Sequence, residues 1–465
     1  MSSPSPLEQH DLEAFLNRLK NYLACQSVST DPAYREEMNK ARSFLKEHLI
    51  DIGFSNIQEL DGGIGGHNAL YAEWLAKPGK PTLLIYGHYD VQPPDPLDQW
   101  ISDPFDMQER DGRLYARGIS DDKGPTLIAL EALRCHMAAQ GELPFNVKIL
   151  LEGEEETGSP SLPNILSQNR ELLAANAILS ADGARWRADL TAINVGSRGN
   201  GGFELSIKTA DLDLHSGRYG GAVPNALHEM ARIIACLHDD KNKVTIPGFY
   251  DDVIMPDAET EADLHAIEFD GQGWTANIGS VEFGEEGYST LQRLWDRPTL
   301  EVNGLWGGYQ GAGSKTVIPN EAHAKITMRL VPGQDPEKIR ASAKAYIQGL
   351  CPDGVELTIS GDRGWTRAYA VPAKHPLLLA AETALEKTLG EKPLRVRVGA
   401  TLPLSDLVLG TLGIDTVMFS FSTADEQFHA PNEFLRLSAV KEGVEAWIKL
   451  LDLVGEQSPS DYQAA

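Results

Sequence analysis

Residues 82–90 read TLLIYGHYD, an apolar run that stops at Gly87 and is followed by His88 and Asp90. A short apolar run that ends at a glycine is typical of a strand buried inside a parallel sheet. Polar residues directly after such a strand lie at its carboxyl end, where open α/β sheets bind their ligands. The stretch therefore predicts a buried strand that carries functional residues at its end.

The same arrangement recurs further along the chain. Two more apolar runs, 147–151 and 177–180, are followed by the glutamates 154–156 and by Asp182. A run with helical spacing over 126–139 lies between the first two strands. Strand, helix and strand alternate, which predicts βαβ units and a mixed, largely parallel sheet flanked by helices.

The pattern changes after about residue 195. Polar and apolar residues alternate over 203–208 and again over 324–330, with a helical run over 225–238 between them. Such half-buried strands indicate a separate α+β domain. An apolar strand over 416–419 and a helix over 439–453 then restore the first pattern.

We therefore expect the α+β domain to be inserted into the first one. The predicted boundaries assign residues 1–195 and 367–465 to a catalytic domain and residues 196–366 to the insertion. A chain of 465 residues with 42% hydrophobic content is long enough to form more than one core.

Composition narrows the possible partners. Lysine and arginine number 41 against 67 aspartate and glutamate residues, so the net charge of −26 disfavours nucleic acid and anionic membranes as partners. The four cysteines are far apart, which favours reduced, mostly buried thiols. The first residues do not have the pattern of a secretory signal, so we expect a cytoplasmic protein.

The polar residues at the strand ends form a ligand set for two divalent metal ions. The set comprises His88 and Asp90, Asp121 and Asp122, Glu154 to Glu156, Asp182, and His429. Imidazoles and carboxylates are the ligands of zinc and manganese. Asp121 can bridge two ions with its two oxygens, and Asp90 can fix the tautomer of His88. Each cluster alone could be a solvated turn or a hydrogen-bonded core histidine, but together they indicate a two-metal hydrolase.

Four longer strings place the chain near a known family. They are Gly87 to Pro93, Arg117 to Pro125, Glu152 to Ser159 and Asp213 to Gly221, and they closely resemble the metallopeptidase family of aminoacylases, carboxypeptidase G and cytosolic dipeptidases. The resemblance is strongest to the carnosine and Cys-Gly dipeptidase branch. Further matches at 315–319, 328–332 and 428–433 extend it over nearly the whole chain.

The resemblance implies a role for each residue of the metal site. His88 and Asp182 would hold one ion, Glu156 and His429 the other, and Asp121 would bridge them. Glu155 would be the general base, with Asp90 behind His88. The family also has a cis peptide bond after the bridging aspartate, here Asp121–Asp122. We expect zinc as the metal, with manganese or cobalt as alternatives.

The inserted domain is implied to be a lid that also forms a homodimer. His215 would reach the active site of the partner subunit and stabilise the oxyanion. Arg329 would bind the C-terminal carboxylate of a small peptide, supported by Thr316 and Thr401. Thr401 departs from the family pattern, because Gly399-Ala400-Thr401 stands where the dipeptidases have Gly-Gly-Ser.

The sequence thus predicts hydrolysis of dipeptides, or of short peptides with a free C-terminal carboxylate. An N-acyl-amino-acid deacylase of the same fold is the alternative, and a non-catalytic metal-dependent binding protein is a third. The intact Glu155 argues against the third. We expect four further histidines, His10, His48, His238 and His265, at the solvated surface. Four others lack metal-ligand spacing, namely His67, His136, His228 and His323.

Overall fold

The computed structural model describes residues 5–361, 364–400 and 403–463. The chain divides into two compact units. The first unit comprises Met1–Val195, Val371–Val396 and Leu407–Ala465, and the second comprises Gly196–Ala370 and Arg397–Asp406. The sequence-based boundaries differ in assigning residues 367–370 and 397–406 to the first domain.

The helices and strands that lie wholly in the first unit are α1 (Leu12–Leu23), α2 (Arg35–Ile52), β1 (Ser55–Leu60), β2 (Ala69–Trp74), β3 (Thr82–His88), β4 (Gln108–Arg110), β5 (Arg113–Tyr115), α3 (Lys123–Gln140), β6 (Asn146–Glu152), α4 (Leu162–Gln168), α5 (Arg170–Leu173), β7 (Ala177–Ser180), α12 (Pro376–Leu389), β17 (Thr416–Met418), β18 (Phe434–Arg436) and α14 (Leu437–Glu456). Three elements contain a point at which the chain is divided, namely β8 (Ala192–Ser197), β16 (Leu394–Val398) and α13 (Pro403–Leu412).

Six strands of the first unit form one mixed sheet in the order β1-β2-β6-β3-β7-β17. The pairs of β6 with β3, β3 with β7, and β7 with β17 are parallel, whereas β1, β2 and β6 pair antiparallel. Every residue of β6 and β7 is buried, as expected for strands covered on both faces. This is the mixed, largely parallel sheet that the sequence predicted.

Helix α3 is central to the packing of the first unit. It begins directly after Asp122 and ends at Gly141, which adopts the left-handed conformation that favours glycine at a helix end. Nearly all of its first two turns is buried, including Lys123, because it packs on the sheet as well as on α1, α2 and α14. The start of α3 is joined to the carboxyl end of β3, because the backbone N–H of His88 donates to Oδ2 of Asp122 at 3.1 Å.

The elements of the second unit are β9 (Gly199–Lys208), β10 (Leu214–His215), α6 (Ser216–Tyr219), α7 (Ala226–Ala235), α8 (Ala258–Ala266), α9 (Gly271–Asn277), α10 (Thr290–Trp295), β11 (Thr299–Gly307), β12 (Val317–Ile318), β13 (Glu321–Leu330), α11 (Pro336–Leu350), β14 (Glu356–Ser360) and β15 (Tyr369–Ala370).

Its main sheet has the order β11-β13-β9-β14, and every neighbouring pair is antiparallel. Buried and half-buried residues alternate along β9, so one face is apolar and the other polar. The apolar face packs with residues of α7 and α11 in one core. The polar face carries Thr327 and Arg329 of β13. The second unit is therefore the α+β structure expected from its alternating pattern.

Within the part of the chain that the structure describes, no helix has the length and apolar character needed to cross a membrane. All four cysteines are free thiols, but only Cys135 is buried, so the expectation of mostly buried thiols is wrong.

Candidate metal centre

The parallel strands bring the predicted ligands to one edge of the first unit's sheet. His88 is the last residue of β3, Glu155 and Glu156 follow β6, and Asp182 follows β7. These three strands are neighbours and run in the same direction, so their carboxyl ends coincide. Asp121 precedes α3, and the Asp121–Asp122 peptide bond is cis, as the resemblance implied.

The ligand atoms form two clusters that share one residue. His88, Asp121 and Asp182 make up the first, Asp121, Glu156 and His429 the second, and within each cluster the ligand atoms lie within 4.8 Å of one another. We call them the histidine-88 cluster and the histidine-429 cluster. The five residues to which the family resemblance assigned metal ligation, His88, Asp121, Glu156, Asp182 and His429, are all brought together.

Asp121 faces both imidazoles with separate oxygens. Its Oδ1 lies 3.1 Å from Nε2 of His88, and its Oδ2 lies 3.2 Å from Nε2 of His429. Nε2 of His429 is also 3.1 Å from Oε2 of Glu156. Ligand atoms about 2.1 Å from a zinc ion in tetrahedral geometry lie roughly 3.4 Å apart. The residues present therefore fit two ions that share Asp121.

Asp90 contacts His88 at Nδ1, the ring nitrogen that does not face Asp121. Nδ1 of His88 lies 3.1 Å from the carbonyl oxygen of Asp90 and 3.4 Å from its carboxylate, and both residues are fully buried. Two acceptors at Nδ1 favour the tautomer that has its proton there, which leaves Nε2 free to bind a metal. Asp90 also accepts the backbone N–H of Glu156 at 3.1 Å, so it supports ligands of both clusters.

The electrostatics of the clusters favour added positive charge. Hydrogen bonding to Asp121 and Glu156 raises the pKa of His429 to about 10. Burial alone would lower the pKa of His88, but Asp121 and Asp90 raise it well above its usual range. Burial raises the pKa of Asp182 to about 6. Both imidazoles thus hold protons more tightly than usual because of their acidic neighbours, and Asp182 does so mainly because it is buried.

The three consecutive glutamates have three different surroundings. Both oxygens of Glu154 accept backbone N–H groups, from His67 at 2.8 Å and Ser161 at 3.1 Å, so this residue organises the loop. Glu156 belongs to the histidine-429 cluster. Glu155 lies outside both clusters, and burial raises the pKa of its carboxyl well above the usual range, with a further contribution from Asp182. A carboxyl group of that kind is suited to accept a proton during catalysis.

Several residues of the site were given no individual role by sequence reasoning, and Asp122, which had been counted with the ligands, belongs to neither cluster. Gln92 donates to Oε2 of Glu156 at 2.9 Å. Asp122 accepts the backbone N–H of His88 at 3.1 Å and the hydroxyl of Thr126 at 2.7 Å. Lys123 is fully buried, and its Nζ donates to the carbonyl oxygen of Cys25 at 2.5 Å.

Two buried glutamates complete this framework. Glu433 accepts the backbone N–H groups of Gly118, Ser120 and Asp121, and Glu426 accepts the hydroxyl of Ser120. Glu433 lies within the matching string 428–433, but the resemblance gave it no role. Its position after His429 was the only signal in the sequence.

The remaining predicted site residues belong to the second unit. His215 and Thr316 are neighbours, because β10 pairs with β12 and Ser216 donates its N–H to the carbonyl of Thr316 at 3.1 Å. Nδ1 of His215 accepts the N–H of Gly217 at 3.0 Å, so Nε2 takes no part in this hydrogen bond. Thr401 lies outside the described residues.

Arg329 lines a cavity of about 620 Å³ that is formed by residues of the second unit alone. Arg198, Arg293 and Arg297 also line it. Arg297 is neutralised by a bidentate pair with Glu285, with both N–O distances 2.8 Å. Arg198 is buried and donates Nε to the carbonyl of Gly399 at 2.9 Å, and among the described residues it forms no ion pair. Burial and the charge of Arg329 lower the pKa of Arg198 to about 10, whereas Glu301, which also lines the cavity, acts in the opposite direction. The four arginines outnumber the two glutamates of the lining, so the lining carries a net positive charge.

A largely parallel α/β sheet that gathers paired carboxylate and imidazole clusters at its carboxyl edge defines a metal-dependent hydrolase. The comparison with protein families narrows the class. The chain belongs to Peptidase family M20/M25/M40, whose model matches residues 84–453. The resemblance stated from the sequence strings is therefore confirmed.

Full-length relatives agree with this assignment. The chain is 28% identical over 443 residues to the Beta-Ala-His dipeptidase of Mus musculus, covering 90% of this chain and 89% of the relative. It is 27% identical over 463 residues to the Cys-Gly metallodipeptidase DUG1 of Saccharomyces cerevisiae, covering 95% of each. The crystal structure of an M20 family metallo-carboxypeptidase from Sulfolobus solfataricus matches with 31% identity and a TM-score of 0.78, covering 95% of this chain and 99% of that one. The chain is a hydrolase of the metallopeptidase class, with the predicted fold.

Proposed function

We propose that the chain is a two-metal dipeptidase that hydrolyses dipeptides or short peptides with a free C-terminal carboxylate. The observation that carries the proposal is Asp121, whose two oxygens face imidazoles of two different clusters. The names of the mouse and yeast relatives, both dipeptidases matched over nearly their whole length, give independent support.

The residues would divide into two ligand sets. His88 and Asp182 would hold one ion, Glu156 and His429 the other, and Asp121 would bridge them. Zinc is our first choice, with manganese or cobalt as alternatives, because imidazole and carboxylate ligands suit all three. When bound, two such ions would polarise the substrate carbonyl and lower the pKa of the attacking water.

Glu155 would move the proton. Its carboxylate would take a proton from the attacking water and return it to the nitrogen of the leaving amine, so that one group serves as base and then as acid. Its raised pKa supports this role, because a carboxylate that holds a proton more tightly than usual is a stronger base toward the attacking water. Asp90 would keep Nε2 of His88 free of a proton throughout.

Arg329 would bind the C-terminal carboxylate, with Thr316 and Thr401 as supporting contacts. The cationic cavity around Arg329 and Arg198 supports an anionic group at this position. Amidating the C-terminus of a dipeptide should therefore raise the transition-state free energy by about 2 to 5 kcal/mol. The measurement is kcat/KM for the free and amidated forms of one dipeptide. In Arg329→Met the ratio of the two values should approach one; equal turnover by the unmodified protein would rule out this role.

A homodimer would complete the site. His215 lies in a glycine-rich segment and would stabilise the oxyanion in the partner subunit. Mixing inactive Glu155→Gln protein with inactive His215→Ala protein should then restore activity, because a mixed dimer contains one intact site. Subunit exchange has to be verified with differently tagged chains. If subunits are shown to exchange but activity does not return, then His215 acts in its own subunit or has no catalytic role.

A substrate panel tests the reaction class. Protein stripped with a chelator and reloaded with Zn²⁺, Mn²⁺ or Co²⁺ should hydrolyse dipeptides, and the stripped protein should be inactive. N-acyl amino acids serve as the comparison, because a deacylase would use the same chemistry with a different pocket. Preferential turnover of the N-acyl amino acids would show that the chain is a deacylase and not a dipeptidase. Metal binding without turnover of either class would favour the binding protein.

A further inference from the structure

Glu433 is fully buried and accepts four hydrogen bonds. Its Oε1 accepts the backbone N–H groups of Ser120 at 2.8 Å and Asp121 at 3.1 Å. Its Oε2 accepts the backbone N–H of Gly118 at 2.9 Å and Nη1 of Arg117 at 2.8 Å. Three of the four donors belong to the backbone of the segment that ends at Asp121. The carboxylate therefore fixes that backbone from one point.

The same glutamate is four residues after His429. The loop 427–432 that presents His429 begins after Glu426, which accepts the hydroxyl of Ser120 and the N–H of Thr423 at 3.0 Å. Ser422 donates its hydroxyl to the carbonyl of Ser120 at 2.6 Å. The loop is thus tied at both ends to Ser120, the residue next to Asp121.

Strand pairing extends the connection beyond the loop. Phe434, directly after Glu433, pairs with Tyr115 in the small sheet of β18, β5 and β4. Arg117 also donates to the carbonyl of Ala430 at 3.3 Å, next to His429. Residues 115–121 and 426–434 therefore form one hydrogen-bonded body, which we call the clamp.

We propose that Glu433 is a positioning residue that orients Asp121 and His429 together, so that its loss weakens metal binding in both clusters at once. The inference rests on the proposed two-metal function. Asp121 is the shared ligand, and a rotation of its backbone would move both carboxylate oxygens away from their imidazoles. A residue behind the ligands normally changes metal affinity by about 10- to 100-fold.

Glu433→Gln is the direct test, because glutamine has the same size but replaces one acceptor oxygen with a donor. An NH₂ group would then face two N–H donors, either those of Ser120 and Asp121 or those of Gly118 and Arg117. Titration of stripped protein with Co²⁺, followed by absorption spectroscopy and calorimetry, should show both affinities lowered by about 10- to 100-fold. The Co²⁺ spectrum should also change, because it reports the geometry of the ligands.

Glu382→Gln is the matched control. Glu382 is buried in the first unit and accepts Nε of Arg395 at 2.6 Å, but it makes no hydrogen bond to the clamp in the described part of the chain. Its loss removes a buried carboxylate from an arginine without touching Asp121. Both Co²⁺ affinities should equal those of the unmodified protein. A merely structural role of Glu433 predicts that the two variants behave alike.

Arg117→Met separates the ion pair from the backbone contacts. It removes one of the four donors to Glu433 and the contact of Arg117 with the carbonyl of Ala430, but it leaves three backbone N–H groups on Glu433. It should therefore weaken metal binding less than Glu433→Gln. Equal losses in the two variants would assign the effect to the ion pair and overturn the inference.

Glu433→Asp covers the case in which Glu433→Gln does not fold. Aspartate keeps the charge but is one methylene shorter, so it cannot reach all four donors, and both affinities should fall by an intermediate amount. Unchanged affinities in a folded Glu433 variant, or a loss confined to one ion, would overturn the proposal. If the unmodified protein binds no second ion, the proposed function fails instead.

Discussion

The structure contains a third group of potential ligands, and comparing it with the metal clusters shows what distinguishes a metal site. His10, Glu131 and Cys135 also bring ligand atoms within 4.8 Å of one another. Glu131, however, accepts from Arg18 at 2.6 Å and from Arg134 at 2.7 Å and 2.8 Å. Its negative charge is already balanced by the protein.

Asp121 and Glu156 differ in their partners. In the described part of the chain their ion pairs are with His88 and His429 alone, and neither pairs with a lysine or arginine. Cys135 differs from a ligand thiolate as well, because burial raises its pKa to about 12. Proximity of ligand atoms is therefore insufficient, and the identity of the neighbouring cations separates the two regions.

The largest expected effect comes from Asp121→Ala. If one carboxylate serves both clusters, its loss should remove both ions and reduce activity to the level of metal-free protein. Metal content by inductively coupled plasma mass spectrometry, together with dipeptide turnover, checks this. Asp106→Ala, which removes an exposed aspartate paired with Lys20, should keep both ions. Full occupancy in Asp121→Ala would place the bridge elsewhere.

Glu155→Gln should separate chemistry from metal binding. Because Glu155 lies outside both clusters, the variant should keep its metal content while kcat falls by about a thousandfold, the loss expected when a general base is removed. Metal content and kcat have to be measured on the same preparation. A metal-loaded variant with near-normal kcat would remove Glu155 from the mechanism.

Glu131→Gln should affect stability instead of metal binding. Burial would raise the pKa of Glu131, but hydrogen bonds from Arg134 and His10 hold it at about 2. Since the folded pKa lies below the unfolded value of about 4.5, the carboxylate stabilises the fold above that pH by about 3 kcal/mol. This contribution is lost as the pH falls from about 4.5 towards 2.

Urea unfolding at pH 7 and pH 3 measures the difference. The free energy of unfolding of Glu131→Gln should be lower than normal at pH 7, and the gap should narrow at pH 3. Glu445→Gln, which removes a half-exposed partner of Lys449, should change it by only about 0.5 kcal/mol. A gap that widens with acid would contradict the low pKa of Glu131.

The smallest effect is expected from Cys135→Ala. If the Glu131 group is not a metal site, this variant should keep the metal content and dipeptidase activity of the unmodified protein. Its free energy of unfolding should fall by about 1 kcal/mol, because a buried sulfur is lost. A reduced metal content would show that the Glu131 group does bind an ion. Neighbouring cations would then not distinguish this group from the two metal clusters.

The sheet of the first unit was predictable because its central strands β3, β6 and β7 are continuous buried runs. The run 177–180 coincides with β7, and the run 147–151 lies inside β6, one residue short at each end. Helix α3 begins three residues earlier than the predicted helix, at Lys123, because the segment after Asp122 is buried in the same packing. Sequence patterns were sufficient to predict those elements whose residues are buried along a continuous stretch of the chain.

The ligand set was also accessible, since each predicted ligand directly follows a strand or belongs to a recognisable string. The clamp was not, because more than 300 residues separate Ser120 from Glu433 and backbone N–H donors leave no trace in a sequence. The roles of the ligand residues and of Glu433 are proposals.

The surface assignment was wrong for His10 and His48, whereas His265 is exposed and His238 is half-buried. His48 is only 7% exposed and stacks on Phe44. Nδ1 of His10 lies 3.0 Å from Glu131. Both positions follow from contacts between distant segments, which spacing along the chain does not reveal.

The buried ammonium of Lys123 has a practical consequence for anyone trimming the gene. The family match starts at residue 84, but the carbonyl groups that receive this ammonium, those of Cys25 and Tyr22, come from the end of α1. A fragment cut to the matched range would leave a cation without acceptors two residues from Asp121. Any expressed fragment that is to keep Lys123 hydrogen-bonded must therefore include the first helix and the residues directly after it.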